Sequence, residues 1–341
     1  MNAKFVRVLS KIGISLVFFF LICFAAFKFS PWPSALLIRY AFNSEAVKTN
    51  KALENHVPSN VKSIVNQQYD VSDKNAFLDV YIASDTERKQ PVIIWIHGGG
   101  LISGGKEQVA NYCKILSSKG YVVVAIDYTI APEGKFPTPL IQTNKALTYL
   151  FKNADRFKID TSNMILAGDS GGAFIAAQVA NTIYNKKYAE ITKVNPGIQP
   201  QNLKGLLLYC GIYNLPENME GVFEAFMTTV IWSYFGEKDI SNNTYAKTAF
   251  VSEYISSSFP PCFISAGNGD PLLSQSLELS SKLSEKNIII DTLFYASDKE
   301  PPLPHEYQFT LETDAGKKAL ERSLLFLANV IKNNKNIKSE D

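Results

Sequence analysis

The chain is poor in the side chains that metal and redox chemistry require. Its 341 residues include three histidines and four cysteines. No two cysteines stand close enough for a CxxC pair, and His56, His97 and His305 form no HExxH, which argues against zinc. Cys23 lies in an apolar N-terminal run, leaving Cys113, Cys210 and Cys262 without framework spacing, so they read as buried small hydrophobes rather than a disulfide set. Charge of one sign is scarce as well. Lys and Arg number 34 against 32 Asp and Glu, a net +2, and no Lys/Arg-rich run is present that would track phosphates, so nucleic acid is not an expected partner. Charged residues make up only 19% and hydrophobic residues 46%, a balance that predicts a sizeable buried core and one large domain.

One long hydrophobic run does occur. Ile12 to Phe27 holds no charged residue, is preceded by Lys4, Arg7 and Lys11, and is followed by Lys28 and Pro31-Trp32-Pro33. The run is short for a spanning helix and long for a signal-peptide core. Lys11 and Lys28 can snorkel and Trp32 suits a headgroup interface, whereas Ala25-Ala26 lacks a small residue upstream to make a cleavage site. An uncleaved signal anchor is therefore favoured over a cleaved signal followed by secretion, and over a buried helix of the fold. The basic excess on the N-terminal side predicts a cytoplasmic N-terminus, with the rest of the chain on the non-cytoplasmic side. An Asn242-Asn243-Thr244 sequon is usable only in a host that glycosylates.

From about Lys62 onward, short apolar runs alternate with helix-length amphipathic stretches, the pattern of an α/β fold with a mostly parallel central sheet and helices on both faces. Strands are expected at 77–83, 92–96, 121–126, 164–167, 206–209, 262–265 and 288–295. Helices are expected at 106–118, 138–152, 172–184, 273–286 and 315–332. Residues 34–60 and the aromatic-rich 215–258 break the pattern. The organisation expected is a signal anchor over 1–30, an N-terminal cap or connector over 31–60, a catalytic domain over 61–333 with a cap insertion at about 215–258, and a frayed polar tail from Asn333 that leaves 334–341 outside the domain.

Chemistry concentrates in two glycine-rich junctions. Gly168-Asp169-Ser170-Gly171-Gly172 matches G-x-S-x-G between an apolar strand and a helix, a sharp turn that exposes a serine hydroxyl at a helix N-terminus. The second, His97-Gly98-Gly99-Gly100, follows the strand at 92–96. It reads either as a loop needing positive φ angles or as an oxyanion loop, whose bare backbone lets N–H groups approach a substrate carbonyl.

A serine hydroxyl needs a base. His97 belongs to the glycine loop and His56 to an irregular segment where a surface role is the default, which leaves His305 on the loop after Pro301-Pro302-Leu303-Pro304. In the chain order Ser, acid, His, Asp270 is the best orienting carboxylate because it ends the turn after the strand at 262–265. Asp298 and Glu300 are so close in sequence to His305 that the geometry is harder to satisfy, with Asp298 in reserve, and Asp291 falls inside a strand. Asp270 also reads as a cap of the helix that follows.

These pieces, with Asp127-Tyr-Thr-Ile-Ala-Pro-Glu133, Asp270-Pro-Leu272 and Phe309 after His305, resemble the hormone-sensitive-lipase-like group of α/β-hydrolase esterases over about 91–309. The resemblance implies Ser170 as nucleophile, His305 as base, Asp270 as its orienter, and an oxyanion hole from the N–H groups of Gly98, Gly99 and Gly171, with His97, Gly100 and Asp169 as supporting residues. It also implies a cap from the N-terminal segment and 215–258 over an acyl pocket. Gly171, Leu101, Thr129-Ile130 and the spacing of His305 to Phe309 depart from the usual pattern and bear on the substrate. The anchor-plus-hydrolase layout is similar to arylacetamide deacetylases.

The expected reaction is hydrolysis of small, short- to medium-chain carboxylic esters through an acyl-enzyme, needing no metal or organic cofactor, with an acid limb at an apparent pKa of roughly 6 to 7. Two other readings remain: a membrane-tethered acyltransferase or deacylase acting on a surface polymer or lipid, and a non-catalytic binding module on the same fold. The physiological ester and the oligomeric state are not legible in the sequence.

Overall fold

The computed structural model describes residues 3–215 and 219–337. Two helices lead into the domain. The first, α1 (Ala3–Phe29), carries the apolar run, and none of its 20-residue stretch Ser10–Phe29 is buried. At ~1.5 Å per residue this stretch is ~30 Å long, the thickness of a bilayer core. Its exposure overturns the alternative that the run is a buried core helix. Pro31 and Pro33 break the path, and α2 (Trp32–Ala52) starts afresh with proline in its first turn, where a missing N–H costs nothing. The expectation of irregular chain over 34–60 is thus corrected. Of the α2 residues only Ala35 is fully buried, so the helix lacks the broad apolar stripe by which helices are recognised in sequence.

The sheet has eight strands: β1 (Val61–Gln68), β2 (Phe77–Ala83), β3 (Gln90–Ile96), β4 (Val122–Ile126), β5 (Ile159–Asp169), β6 (Leu203–Tyr209), β7 (Cys262–Ser265) and β8 (Ile290–Leu293), in the order β1-β2-β4-β3-β5-β6-β7-β8. The pairs β1–β2 and β2–β4 are antiparallel and the remaining pairs parallel. The helices of the main layers are α3 (Ala110–Ser117), α4 (Thr138–Lys152), α5 (Gly171–Tyr184) and α6 (Lys186–Thr192), then α7 (Gly221–Phe235), α8 (Thr244–Lys247), α9 (Leu273–Glu285) and α10 (Asp314–Ile337). Strand β1 had no counterpart among the expected strands. It is an edge strand whose side chains are half-buried or exposed, so no hydrophobic alternation marks it.

Central strands read as continuous apolar runs because both faces are covered. In β3, Val92, Ile94 and Ile96 pack into the layer that contains Leu147 of α4 and Ile175 of α5, while Ile93 and Trp95 pack into the opposite layer with Cys113 of α3 and Leu327 of α10. Successive side chains point to opposite faces, and each fully buried aliphatic contributes about 1.5–3 kcal/mol. The final helix continues through Ile337, beyond the fraying expected from Asn333; residues 338–341 of that tail lie outside the described residues, as do 216–218 of the aromatic insertion.

Glycine sets the closest approach in the fold. A Cβ on Gly172 would penetrate the carbonyl oxygen of Ile96, and one on Gly168 would stand 2.5 Å from the Gly172 carbonyl carbon. We expect Gly172→Ala to push β3 and α5 apart and to cost at least about 2 kcal/mol, read as a fall in Tm in thermal unfolding. An unchanged Tm would show that the junction tolerates the extra methyl.

Candidate active site

Parallel strands of this sheet deliver their C-terminal ends to one edge, and the sequence-marked residues meet there. Ser170 sits between the last residue of β5 and the first of α5 with φ 49° and ψ −118°, a left-handed value rarely held by a side-chain-bearing residue and costing about 1–3 kcal/mol. The turn is held from both sides: the Ser170 amide donates to the Tyr209 carbonyl (2.8 Å), and its carbonyl accepts from the Phe174 amide (3.2 Å).

His305 and Asp270 come together although 35 residues separate them. His305 Nδ1 lies 2.9 Å from Asp270 Oδ2, and the other carboxylate oxygen accepts from the Leu272 amide at 2.7 Å. Asp270 therefore partners the ring and closes the turn that precedes α9, whose N-cap is Leu272 with no side-chain cap. The two loops are tied: Gly269 N–H donates to the Leu303 carbonyl (2.9 Å), Leu303 N–H to Asn268 Oδ1 (2.8 Å), and Asn268 Nδ2 to the Lys299 carbonyl (2.9 Å). Tyr307 is pinned to Ser265 at the end of β7 by a 2.7 Å hydroxyl pair. Asp291 pairs instead with Arg322, and Asp298 makes no contact with the ring. No hydrogen bond joins the Ser170 hydroxyl to His305 among the described residues, the looser spacing common before substrate arrives.

The other two histidines are placed where they cannot serve as base. His56 pairs with Glu312 on the surface at 3.1 Å. His97 is buried and stacked on Tyr128, with ring centroids 4.3 Å apart, and burial pushes its pKa down to about 4, so it is neutral.

His305 has the opposite balance. Burial opposes its charged form, but the hydrogen bond to the Asp270 carboxylate and the charge of Glu306 favour it, and its pKa lies above the ordinary histidine value. Cys210, read from sequence as core filler, stands within 4.8 Å of both the Asp270 and His305 donor atoms, and burial pushes its thiol up to about 11. Nothing in the sequence marks it apart from its position just after a buried strand, where the chain turns with φ 45°.

The glycine loop is more specific than expected. Gly99 and Gly100 hold φ angles of +95° and +61°, and the Gly99 carbonyl accepts from the amide and hydroxyl of Ser103. The Gly98 backbone is engaged by the Asp169 carboxyl, whose Oδ1 also accepts from Trp95 Nε1 at 2.7 Å. Gly98, expected from sequence as an oxyanion donor, lines the same cavity as Ser170 and His305. Gly171 packs against Leu101.

Two cavities share Phe42, Gly100, Ser170 and His305. The first, about 870 Å³, is apolar, walled by Leu101, Phe174, Phe226, Val230, Tyr234 and Leu272. The second, about 810 Å³, has polar walls that include Glu45, Thr49, Ser103, Gln108, Asp169 and Glu306. Helix α2 supplies Phe42 to both and clamps the loop beneath. Arg39 donates to the carbonyls of Ile102 (2.7 Å) and Ala131 (2.9 Å) and makes a bidentate pair with Glu133. Sequence reading missed Arg39 because it lies in a segment with no motif.

The model of the BD-FAE family matches residues 78–285. Among solved structures, esterase B from Lactobacillus rhamnosis (HN001) matches with TM-score 0.78 and 21% identity, covering 91% of this chain and 99% of its own. An esterase of Pyrobaculum calidifontis matches at 0.67 and 20%, covering 87% and 93%, and esterase LipW from Mycobacterium marinum at 0.68 and 18%, covering 88% and 90%. These likenesses establish the fold as that of the α/β-hydrolases.

The histidine environments give a direct test. In a pH titration followed by NMR of labelled histidines, His305 is expected to titrate above the ordinary value of ~6.5 and His97 near 4. In Asp270→Asn the His305 midpoint should fall; a His305 midpoint that ignores this change would show that the 2.9 Å pair does not control the ring.

Proposed function

Because the chain belongs to the BD-FAE family, we propose that it is a serine carboxylic-ester hydrolase that works through an acyl-enzyme. The observation that carries this reading is the 2.9 Å contact between Asp270 and His305 beside Ser170, held at a strained strand-to-helix turn at the floor of an apolar cavity. Neutral His305 takes the Ser170 proton as the hydroxyl oxygen attacks the ester carbonyl carbon. Asp270 stabilises the imidazolium through Nδ1–H, and the ring then gives its proton to the departing alcohol. Water repeats the sequence on the acyl-serine and releases the acid.

The oxyanion donors of this reading are the N–H groups of Gly98, Gly99 and Gly171. Gly98 and Gly99 line one cavity beside Ser170 and Gly171 the other, with Gly100 lining both. Each such donor is typically worth on the order of 100- to 1000-fold in turnover. His97 and Asp169 act from beneath the loop. A non-catalytic module on this fold would have no use for the strained serine or for a buried carboxylate on the histidine.

The substrates we propose are small esters with short to medium acyl chains. Support comes from the apolar cavity, which Phe42 of α2 and Phe226 of α7 close over with rings 5.4 Å apart. The Lactobacillus rhamnosis esterase B neighbour is described as inhibited by a tributyrin phosphonate, a short-chain compound. The segments 31–60 and 215–258 form the cap in this reading, and α1 is an uncleaved anchor that leaves the catalytic domain on the non-cytoplasmic side. The esterase reading requires no metal or organic cofactor.

Labelling with a fluorophosphonate probe tests the assignment. Wild type should be modified at Ser170, Ser170→Ala should not, and His305→Ala should react at least about 100-fold more slowly. Persistent labelling of Ser170→Ala would sink the site. With p-nitrophenyl esters, butanoyl and octanoyl chains should be turned over faster than palmitoyl; the reverse order would refute the chain-length proposal. The acid limb of kcat/KM, expected from sequence at roughly 6 to 7, should lie higher because the groups around His305 favour its protonated form.

A further inference from the structure

Beside the histidine lies a pair of carboxyls, Glu306 and Asp169, that take no part in the proton transfers described above. Glu306 follows His305 with φ 58°, in the left-handed region that a glutamate rarely occupies, and its Oε1 lies 3.8 Å from His305 Nε2. This is the nitrogen that faces the nucleophile in the proposed mechanism, opposite the one bound to Asp270. The Asp169 carboxyl lies beside Glu306, close enough for the charge of Glu306 to raise its pKa. A Cβ on Gly98 would collide with Asp169 and stand 2.9 Å from Glu306 Oε1, so only a glycine leaves room for both groups.

Asp169 is 2% exposed and locked by Trp95, whose own ring is wedged among Tyr112, Tyr209 and Phe309. Burial, followed by the charge of Glu306, raises the pKa of Asp169 well above the ordinary carboxylate range.

We propose that Glu306 is a positioning residue for the hydrolysis: its carboxyl, packed beside Asp169 in the space that Gly98 leaves, serves as a second acidic partner of the His305 ring from the nucleophile side. The proposal rests on the triad reading above. When Ser170 gives up its proton, positive charge appears on a ring flanked by Asp270 at one nitrogen and by Glu306 at the other.

The ring is faced by Asp270 after β7, by Cys210 after β6 and by Glu306 on its own loop, with Asp169 from the end of β5 behind Glu306. Glu45 of α2 and His97 line the same cavity. The Cys210 thiol is pushed up to about 11 and His97 down to about 4, so neither carries charge at neutral pH.

The test is the pH profile of kcat and kcat/KM for a p-nitrophenyl ester with the full-length protein. Glu306→Gln should move the acid limb of kcat/KM down by about one pH unit and lower the plateau kcat by up to about tenfold, with KM unchanged. Asp169→Asn still presents an oxygen to Trp95, so it should leave the limb in place. An unmoved limb in Glu306→Gln overturns the proposal. So does a limb that moves as far in Asp169→Asn as in Glu306→Gln, because Asp169 would then have carried charge. Should Glu306→Gln fail to fold by circular dichroism, Glu306→Asn suits the left-handed backbone and gives the same readings. Fluorophosphonate labelling against pH reads the limb without substrate. Labelling that persists in Ser170→Ala would instead refute the hydrolase reading itself.

Discussion

The arrangement of this molecule depends on one backbone contact, the meeting of Gly172 with the carbonyl of Ile96. The end of β3 and the first turn of α5 approach until only hydrogen atoms fit between them. That contact fixes the glycine loop, which begins one residue after Ile96, relative to the serine, which lies two residues before Gly172. A nucleophile and the amides that stabilise its product charge must agree to a fraction of an ångström, and rigid elements hold such a distance better than loops do. Here the two come from adjacent parallel strands, β3 and β5, so their relation is set by the most buried part of the sheet.

Around this fixed centre the site is assembled from opposites. One cavity beside Ser170 is walled by aliphatic and aromatic side chains, while its neighbour mixes carboxyls, hydroxyls and the Gln108 amide with apolar residues such as Val109 and Phe309. An ester straddling the serine has two ends that need not resemble each other, and the two cavities differ in the same way. The near-zero net charge of the chain conceals this local contrast, because the acidic groups at the site are balanced elsewhere. Buried carboxylates without lysine or arginine neighbours are expensive unless protonated or hydrogen-bonded, and the site uses both remedies. Asp270 takes an amide and an imidazole, while Asp169 accepts from an indole and has its pKa raised by burial and by the charge of Glu306.

Much of this was legible in the sequence, and what was not has identifiable causes. The strands that form the site are buried on both faces, so they stand out as apolar runs of Val, Ile and Leu, and the strands at 77–83 and 262–265 have the bounds expected of them. Ser170 and His305 were found by motif and by elimination among three histidines, and Asp270 by its place at a strand's C-terminal end. Their juxtaposition is observed; their catalysis is proposed. Helix α2 and strand β1 escaped because each buries little surface and therefore carries little periodicity. Glu306, Cys210 and Arg39 escaped for a different reason. Each matters through a partner distant in sequence, at separations of 137, 95 and 94 residues for Asp169, His305 and Glu133 respectively, and single-chain patterning holds no record of such pairs.

The N-terminal segment joins the membrane question to the chemistry. Helix α2 is separated from the apolar α1 by a two-residue break, yet it supplies Phe42 to both cavities and Arg39 to the loop that carries the glycines. Asn43 accepts from the Gly104 amide and Asn50 from the Asn111 amide, so the helix is fastened along its length by hydrogen bonds rather than by apolar burial. Hydrogen bonds of this kind are worth about 1 kcal/mol each net, but they are directional and specify one seating of the helix. The segment expected as a cap or connector is part of the wall of the site, and α1, long and apolar enough to cross a membrane, leads directly into it.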